Sequence, residues 1–230
     1  MLEESMEQSG SQDGDIRQAG MGRRALLAAW FEGKRRQFPW RDGLTPWGTF
    51  LAEMLLRRTR ADQVARNLAA VLERYPGPRE VAEASLDELE EALRPFGLYW
   101  RARTIHAAAV KLVTDHSSTV PSTIEELMAL PGVGPYVAAA TSAGLGDAAV
   151  ILVDTNTVRV ATRVAGCFRR GDIRRKRDVQ QAVQDLLGGP APAAAWWAVL
   201  DLAATICVPR QPNCPACPIR TYCATASSNE

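Results

Sequence analysis

The feature that most constrains the fold is a loop near the end of the chain that holds four cysteines. They are Cys207, Cys214, Cys217 and Cys223. The residues between them are largely prolines and polar side chains, so the loop cannot continue a helix and has too little apolar surface to order itself. Four thiolates in one short loop can surround a compact cofactor, and a cubane iron–sulfur cluster takes one cysteine per iron. The spacing therefore predicts an inorganic ligand.

Two other interpretations of the cysteines stay open. Structural zinc sites usually pair two Cys-x-x-Cys units, whereas only Cys214 and Cys217 have that spacing here. Two disulfides would need an oxidising compartment, yet residues 1–10 are acidic and polar, without the apolar stretch of a secretion signal. The spacing favours an iron–sulfur cluster, and the N-terminus leads us to expect a cytoplasmic protein.

Length and charge leave the class of partner open. A chain of 230 residues is one large domain or two small lobes, and no apolar run approaches the ~20 residues of a membrane span. The formal net charge is only +1, but basic residues are concentrated in runs at 34–36, 57–60 and 169–177. Together the runs fit a one-sided surface for a polyanion, although each run alone is better explained by a solvated helix face.

The hydrophobic pattern predicts an all-α fold. Residues 1–20 are polar and aperiodic, which predicts a disordered tail. From Thr49 to Tyr75 apolar residues recur at helical intervals in one long run. Ser85 with Glu88 has the spacing of a capping box, and Thr123 precedes another predicted helix. Few stretches alternate with a period of two, and none has a hairpin turn beside it.

A glycine-rich segment separates two of the predicted helices. Gly132 and Gly134 flank Val133 in the sequence Leu-Pro-Gly-Val-Gly-Pro-Tyr. Glycines allow a tight turn and a close approach to another surface, and the following helix would start with backbone N–H groups that have no partner within it. Such an N-terminus binds a phosphate without reading sequence, although an ordinary tight connection between helices is the alternative.

These motifs together resemble a known family. The glycine segment is followed by Val153-Asp-Thr-Asn-Thr-Val-Arg-Val160 and then by the cysteine loop. That order resembles the helix-hairpin-helix DNA glycosylases of the endonuclease III and adenine glycosylase branches, over nearly all of residues 37–223. The resemblance implies two all-α lobes beside a DNA cleft. One is a six-helix lobe at residues 40–149; the other, at residues 21–39 and 150–230, carries a 4Fe-4S cluster on the four cysteines.

The resemblance also implies a catalytic aspartate. Breaking an N-glycosidic bond builds positive charge on the sugar, which a fixed carboxylate stabilises. Asp154 matches the family's catalytic position. It follows an apolar run and precedes a predicted helix, so from the residues alone the simpler prediction is a helix N-cap. The two roles are compatible, because a helix N-terminus favours the ionised carboxylate.

Tyr136 and a string around Glu53 place the chain within the family. At the position of Tyr136, bifunctional members have a lysine that forms a Schiff base with the sugar. The adenine branch typically has serine there. Tyrosine resembles the thymine–guanine mismatch glycosylases, as does Glu53-Met-Leu-Leu-Arg57-Arg58-Thr. Glu53 would line the base pocket. The alternative is an exposed helix glutamate, but the apolar neighbours Phe50, Met54 and Leu56 favour partial burial. Tyr136 would pack against the flipped nucleotide. Arg58, expected on a helix, would fill the gap that the flipped base leaves in the duplex and would hydrogen-bond the orphan guanine. Arg57 would be a phosphate contact.

We therefore expect a monofunctional glycosylase that removes thymine, and also uracil, opposite guanine in double-stranded DNA. The alternatives are an adenine glycosylase, a bifunctional pyrimidine glycosylase and a non-catalytic iron–sulfur DNA-binding protein. The chain ends at Glu230, which leads us to expect no additional domain of the kind that recognises oxidised guanine. We also expect a monomer that acts at the nucleoid, with no membrane partner.

Overall fold

The computed structural model describes residues 2–97, 99–146, 148–167, 174 and 176–227, with side chains from Gly14 onward. These residues are mostly helical and contain no β-strand, only an isolated antiparallel bridge between Val150 and Ala191. The all-α prediction is confirmed. In chain order the helices are α1 (Leu2–Lys34), α2 (Pro46–Leu56), α3 (Ala61–Arg74), α4 (Pro78–Glu83), α5 (Leu86–Leu93), α6 (Ala102–Asp115), α7 (Ile124–Met128), α8 (Pro135–Leu145), α9 (Thr155–Val164), α10 (Arg177–Leu186), α11 (Ala193–Thr205) and α12 (Ala224–Ser227).

The chain divides into two compact units. The middle unit is Gln37–Ala148, and the terminal unit combines Met1–Arg36 with Ala149–Glu230. In its described residues the middle unit has seven α-helices, α2 to α8, where six were expected, and two of the seven, α4 and α7, have six residues or fewer. Its core is one apolar cluster, to which α3 contributes Val64, Leu68 and Val71, spaced to lie on one helix face.

The long helical run predicted from Thr49 to Tyr75 is broken in the structure. Helix α2 ends at Leu56, α3 begins at Ala61, and Arg58 lies in the turn between them with φ = 61°. The turn is held from a distant segment, because Thr59 Oγ1 donates to Phe96 O (3.4 Å) and Gln63 Nε2 donates to Pro95 O (2.6 Å). The prediction that Arg58 lies on a helix is therefore wrong. Apolar spacing could not reveal the long-range bonds that hold this turn.

The N-terminal segment also differs from its prediction. Residues expected to form a disordered tail belong to α1, which begins at Leu2. Near the end of that segment, Gly20 packs so closely on the backbone of Gly188 that no side chain fits. Further along α1, Arg23 donates to Leu186 O (2.8 Å) and Asp185 O (2.6 Å). Composition alone did not indicate these contacts with the end of α10.

Local helix signals agree with their predictions. Ser85 caps α5 in a complete capping box with Glu88, and Thr123 caps α7 by accepting from Glu126 N. In the terminal unit, the fully buried Trp196 of α11 donates from Nε1 to Val150 O (2.7 Å). Across the described residues, we find no helix with the length and apolarity that crossing a membrane requires.

Candidate active site and cysteine loop

In the middle unit, α2 and α8 pack against each other in opposite directions. A Cβ added to Gly144, late in α8, would lie 2.8 Å from Thr49 Cγ2, early in α2. One added to Gly132, just before α8, would lie 3.6 Å from Met54 Cε, late in α2. Glu53 lies at this second end and is only 7% exposed. The alternative of an exposed glutamate is therefore wrong, and a carboxylate this buried is costly unless something compensates its charge.

The glycine segment forms the predicted tight turn and helix start. Gly132 has φ = 74°, a left-handed conformation that favours glycine. Gly134 is the N-cap of α8, and Pro135 occupies the first helical position, where its missing N–H costs nothing. Tyr136 follows, half-buried against the core cluster. The N-terminus of α8 therefore sits beside the end of α2 that carries Glu53. Phosphate binding by Gly132, Val133 and Gly134 stays a prediction.

Guanidinium groups gather at the same end of α2. Arg101 is buried and donates from Nη1 to Met54 O (3.1 Å), which satisfies one of the last carbonyls of the helix. Arg57 is exposed and donates from Nη1 to Gly132 O (2.6 Å). Burial, and then the charges of Arg57 and Arg58, lower the pKa of Arg101. With Arg58 also exposed, this end of α2 is strongly positive.

In the terminal unit, Asp154 is the N-cap of α9, so the structural part of its prediction is confirmed. Its Oδ1 accepts from Asn156 N (2.8 Å) and Thr157 N (2.7 Å), and its Oδ2 accepts from Asn156 Nδ2 (2.8 Å). Asp154 N in turn donates to Thr157 Oγ1 (2.9 Å), completing a capping box. The half-buried carboxylate is thus held in one orientation by three donors.

Helix α9 also connects this carboxylate to the cysteine loop through residues that the sequence analysis missed. Asn156 Oδ1 accepts from Arg159 Nη1 (3.2 Å), and Arg159 donates from Nε to Cys207 O (2.9 Å). One turn on, Arg163 Nη1 donates to Cys207 Sγ (3.2 Å) and Val208 O (2.8 Å). Positions 156, 159 and 163 have the spacing of one helix face, which is the signal that could have identified them.

The four cysteines line one cavity. Its other walls include Arg163, Ile206 and Arg220. All five cysteines of the chain are free thiols, so this structure gives the disulfide alternative no support. Within the described ranges, we find no group of three or more histidine, cysteine, aspartate or glutamate side chains arranged to hold a metal ion.

The cavity has the donor chemistry of a soft-metal site. Burial, with repulsion from the other three thiols, raises the pKa of Cys217 to about 11. A positively charged group would be needed to keep four thiolates together there. Cys207, Cys214, Cys217 and Cys223 on the walls of one cavity supply sulfur donors of the kind that soft metals prefer.

The predicted site residues thus divide between the two units. Glu53, Tyr136, Arg57 and the glycine turn gather at one end of α2 in the middle unit, with Arg58 in the adjoining turn. Asp154 and the four cysteines belong to the terminal unit, where α9 links them.

Comparison with known proteins identifies the family. Residues 51–187 match the HhH-GPD superfamily base excision DNA repair proteins. The chain is 34% identical to the adenine DNA glycosylase of Mycobacterium tuberculosis over 200 residues, which cover 86% of this chain but only 66% of that protein. It is 33% identical to the thymine-DNA glycosylase of Aeropyrum pernix, covering 82% of this chain and 86% of that protein. The solved structure of a thermostable thymine-DNA glycosylase superposes with a TM-score of 0.81 at 26% identity, covering 92% and 98% of the two chains. The chain belongs to the HhH-GPD superfamily of base excision DNA repair proteins.

Proposed function

We propose that this DNA glycosylase is monofunctional and hydrolyses the N-glycosidic bond of thymine, and of uracil, mispaired with guanine. The observation that carries the proposal is Tyr136 at the start of α8, beside the end of α2 that holds the buried Glu53. A tyrosine has no amine, so the Schiff-base route to strand cleavage is closed at this position. The aligned thymine-DNA glycosylase and the superposed structure agree with this choice of base.

Asp154 supplies the charge that the reaction needs. Hydrolysis breaks the bond between C1′ of the sugar and the base nitrogen, and the base leaves with the electron pair, so positive charge develops on the sugar. Water then adds its hydroxyl to C1′, and its remaining proton goes to the departing base. Asp154 is fixed by donors from Asn156 and Thr157, so its orientation requires no rearrangement during the reaction. The N-terminus of α9 favours its negative charge.

Residues at the end of α2 recognise the extruded base. Glu53 contacts the flipped thymine or a water beside it, and Tyr136 packs against the nucleotide. Arg58 projects from a turn in a left-handed conformation, which is uncommon for a residue other than glycine and is often found at functional sites. From that turn its guanidinium bonds the orphan guanine. A mismatch lowers the cost of flipping and adds selectivity.

The cofactor is a 4Fe-4S cluster held by Cys207, Cys214, Cys217 and Cys223. Four free thiols around one cavity support this, and so does the Arg163 N–H on Cys207 Sγ. When bound, the cluster supplies structural order to the proline-rich loop and takes no part in breaking the glycosidic bond.

An adenine glycosylase is the second candidate, because an adenine DNA glycosylase aligns at 34% identity, as closely as the thymine enzyme does at 33%. Overall identity therefore does not discriminate between the two bases. Arg57 and Arg58 stand where adenine glycosylases tend to have glutamines, and Tyr136 stands where they typically have serine. These site residues favour thymine.

The test uses duplexes carrying T:G, U:G, A opposite 8-oxoguanine or thymine glycol, each with and without alkali after incubation. Strand breaks at T:G and U:G that appear only after alkali support the proposal. Release of adenine without thymine would support the second candidate and exclude the first. Strand breaks without alkali would exclude a monofunctional enzyme.

A further inference from the structure

The peptide group between Gly132 and Val133 is held at both of its ends. Its carbonyl, Gly132 O, accepts from Arg57 Nη1 at 2.6 Å. Its N–H, on Val133, donates to Leu130 O at 3.2 Å. A peptide group is planar and rigid, so two such bonds fix its orientation. Because Gly134 next to it is the N-cap of α8, that orientation also sets where the helix begins.

The backbone that carries Arg57 is itself held in place. It follows Leu56, the last residue of α2, and the end of α2 is braced by the buried Arg101, which donates to Met54 O. Gly132 is in turn pressed against Thr104 of α6 so closely that only glycine fits. The guanidinium thus ties the end of the helix that carries Glu53 to the turn that precedes Tyr136.

We propose that Arg57 is a positioning residue that aligns the glycine turn with α2, and that it is not a phosphate ligand. The proposal deepens the proposed function, and rests on it only for the statement that the glycine turn contacts DNA. Arg57 then contributes to DNA affinity through the shape of the turn, while its guanidinium remains hydrogen-bonded to Gly132 O. The phosphate contact predicted for Arg57 depended on its charge within the basic run 57–60.

Amide hydrogen exchange in the DNA-free protein tests the positioning role. Arg57→Met keeps the unbranched stem but removes every donor, so the peptide that contains Val133 loses one of its two restraints. We expect exchange of the Val133 amide to accelerate about tenfold, as for loss of one charge-assisted hydrogen bond. The control is Arg60→Met, which removes an exposed arginine of the same turn whose ion pair is with Asp62 at 3.8 Å. It should leave exchange at Val133 unchanged. Equal exchange in Arg57→Met and wild type would overturn the proposal.

The salt dependence of DNA binding tests the statement that Arg57 is not a phosphate ligand. A phosphate contact releases counterions, so its loss lowers the slope of log Kd against log salt by about 0.9. Loss of a positioning residue weakens binding without changing that slope. We expect Arg57→Met to bind about tenfold more weakly at every salt concentration. A slope reduced by about 0.9 would overturn the proposal, whatever the exchange result. Both measurements are independent of which base is released, so a failure of the thymine assignment would be seen separately.

Discussion

Replacing Asp154 by asparagine or by alanine separates its two roles, because the two variants remove different parts of the same carboxylate. Asparagine is as good an N-cap as aspartate, and its Oδ1 can still accept from Asn156 N and Thr157 N. It carries no charge, however, and its NH₂ group would face the NH₂ group of Asn156 where Oδ2 now accepts. Alanine removes all three acceptor contacts together with the charge.

The magnitudes follow from these bonds. The alanine variant loses the cap, which stabilises the fold by about 1–2 kcal/mol, and the bond from Asn156 Nδ2, which contributes about 1 kcal/mol. The free energy of unfolding should fall by about 2–3 kcal/mol, and Tm by roughly 5–10 °C for a chain of this size. Asparagine loses only the second bond, so Tm should fall by roughly 2–4 °C. Asn156 does not recover it by turning its amide over, since its Oδ1 already accepts from Arg159 Nη1.

Activity should follow a different order from stability. Both variants lack the negative charge, so the single-turnover rate of base release should fall by at least about 100-fold in each. DNA affinity should be maintained in the asparagine variant, because this carboxylate neutralises no phosphate. The measurements are thermal unfolding, single-turnover release from the preferred duplex, and a binding titration. An asparagine variant with the wild-type rate would refute the electrostatic role, and an alanine variant with the wild-type Tm would refute the capping role.

Three further changes test other parts of the site. Arg163→Met removes the donor to Cys207 Sγ and should weaken metal retention about tenfold or more in a chelator competition. Arg159→Met is the control, because it spares this sulfur. Equal retention in the two variants would argue against a special role for Arg163. Tyr136→Lys introduces an amine and should allow a covalent enzyme–DNA product to be trapped with borohydride; no trapped product would place Tyr136 away from the sugar. Gly132→Ala strains a residue at φ = 74° and should lower the free energy of unfolding by at least about 1–2 kcal/mol. Gly134→Ala, at φ = −106° with open space around its Cβ position, should be tolerated to within about 0.5 kcal/mol, and an equal cost at both positions would contradict this reasoning.

Sequence reasoning succeeded where the determining contacts are local. The caps at Ser85, Thr123 and Asp154 depend on a side chain and an amide three residues apart, so the pattern contains the whole interaction. The turn at Gly132 is similar, because the left-handed conformation is a property of the residue itself. The burial of Glu53 followed from its apolar helical neighbours.

It failed where the determining contacts are distant in the chain. The turn that contains Arg58 is held by Phe96 O, and nothing in an apolar period indicates such a bond. The order at Gly20 comes from Gly188, more than a hundred residues away in the sequence. The cysteine spacing predicted four neighbouring thiols but not the bond from Arg163 to Cys207 Sγ, which depends on how α9 packs beside the loop.

Helix α9 provides a route by which a ligand of the cysteine loop would influence the proposed reaction. Its first turn is capped by Asp154, and its later turns hold the cysteine loop through Arg159 and Arg163. Asn156 stands between the two ends and bonds both the carboxylate and Arg159. A ligand that orders the loop therefore restrains Arg159, and Arg159 restrains the amide that orients Asp154 Oδ2. Loss of that ligand removes an anchor from the far end of this chain of bonds, while the two backbone bonds to Oδ1 remain. The expected consequence is a carboxylate that stays in place but is less firmly oriented, so that the rate of base release falls before DNA binding is lost.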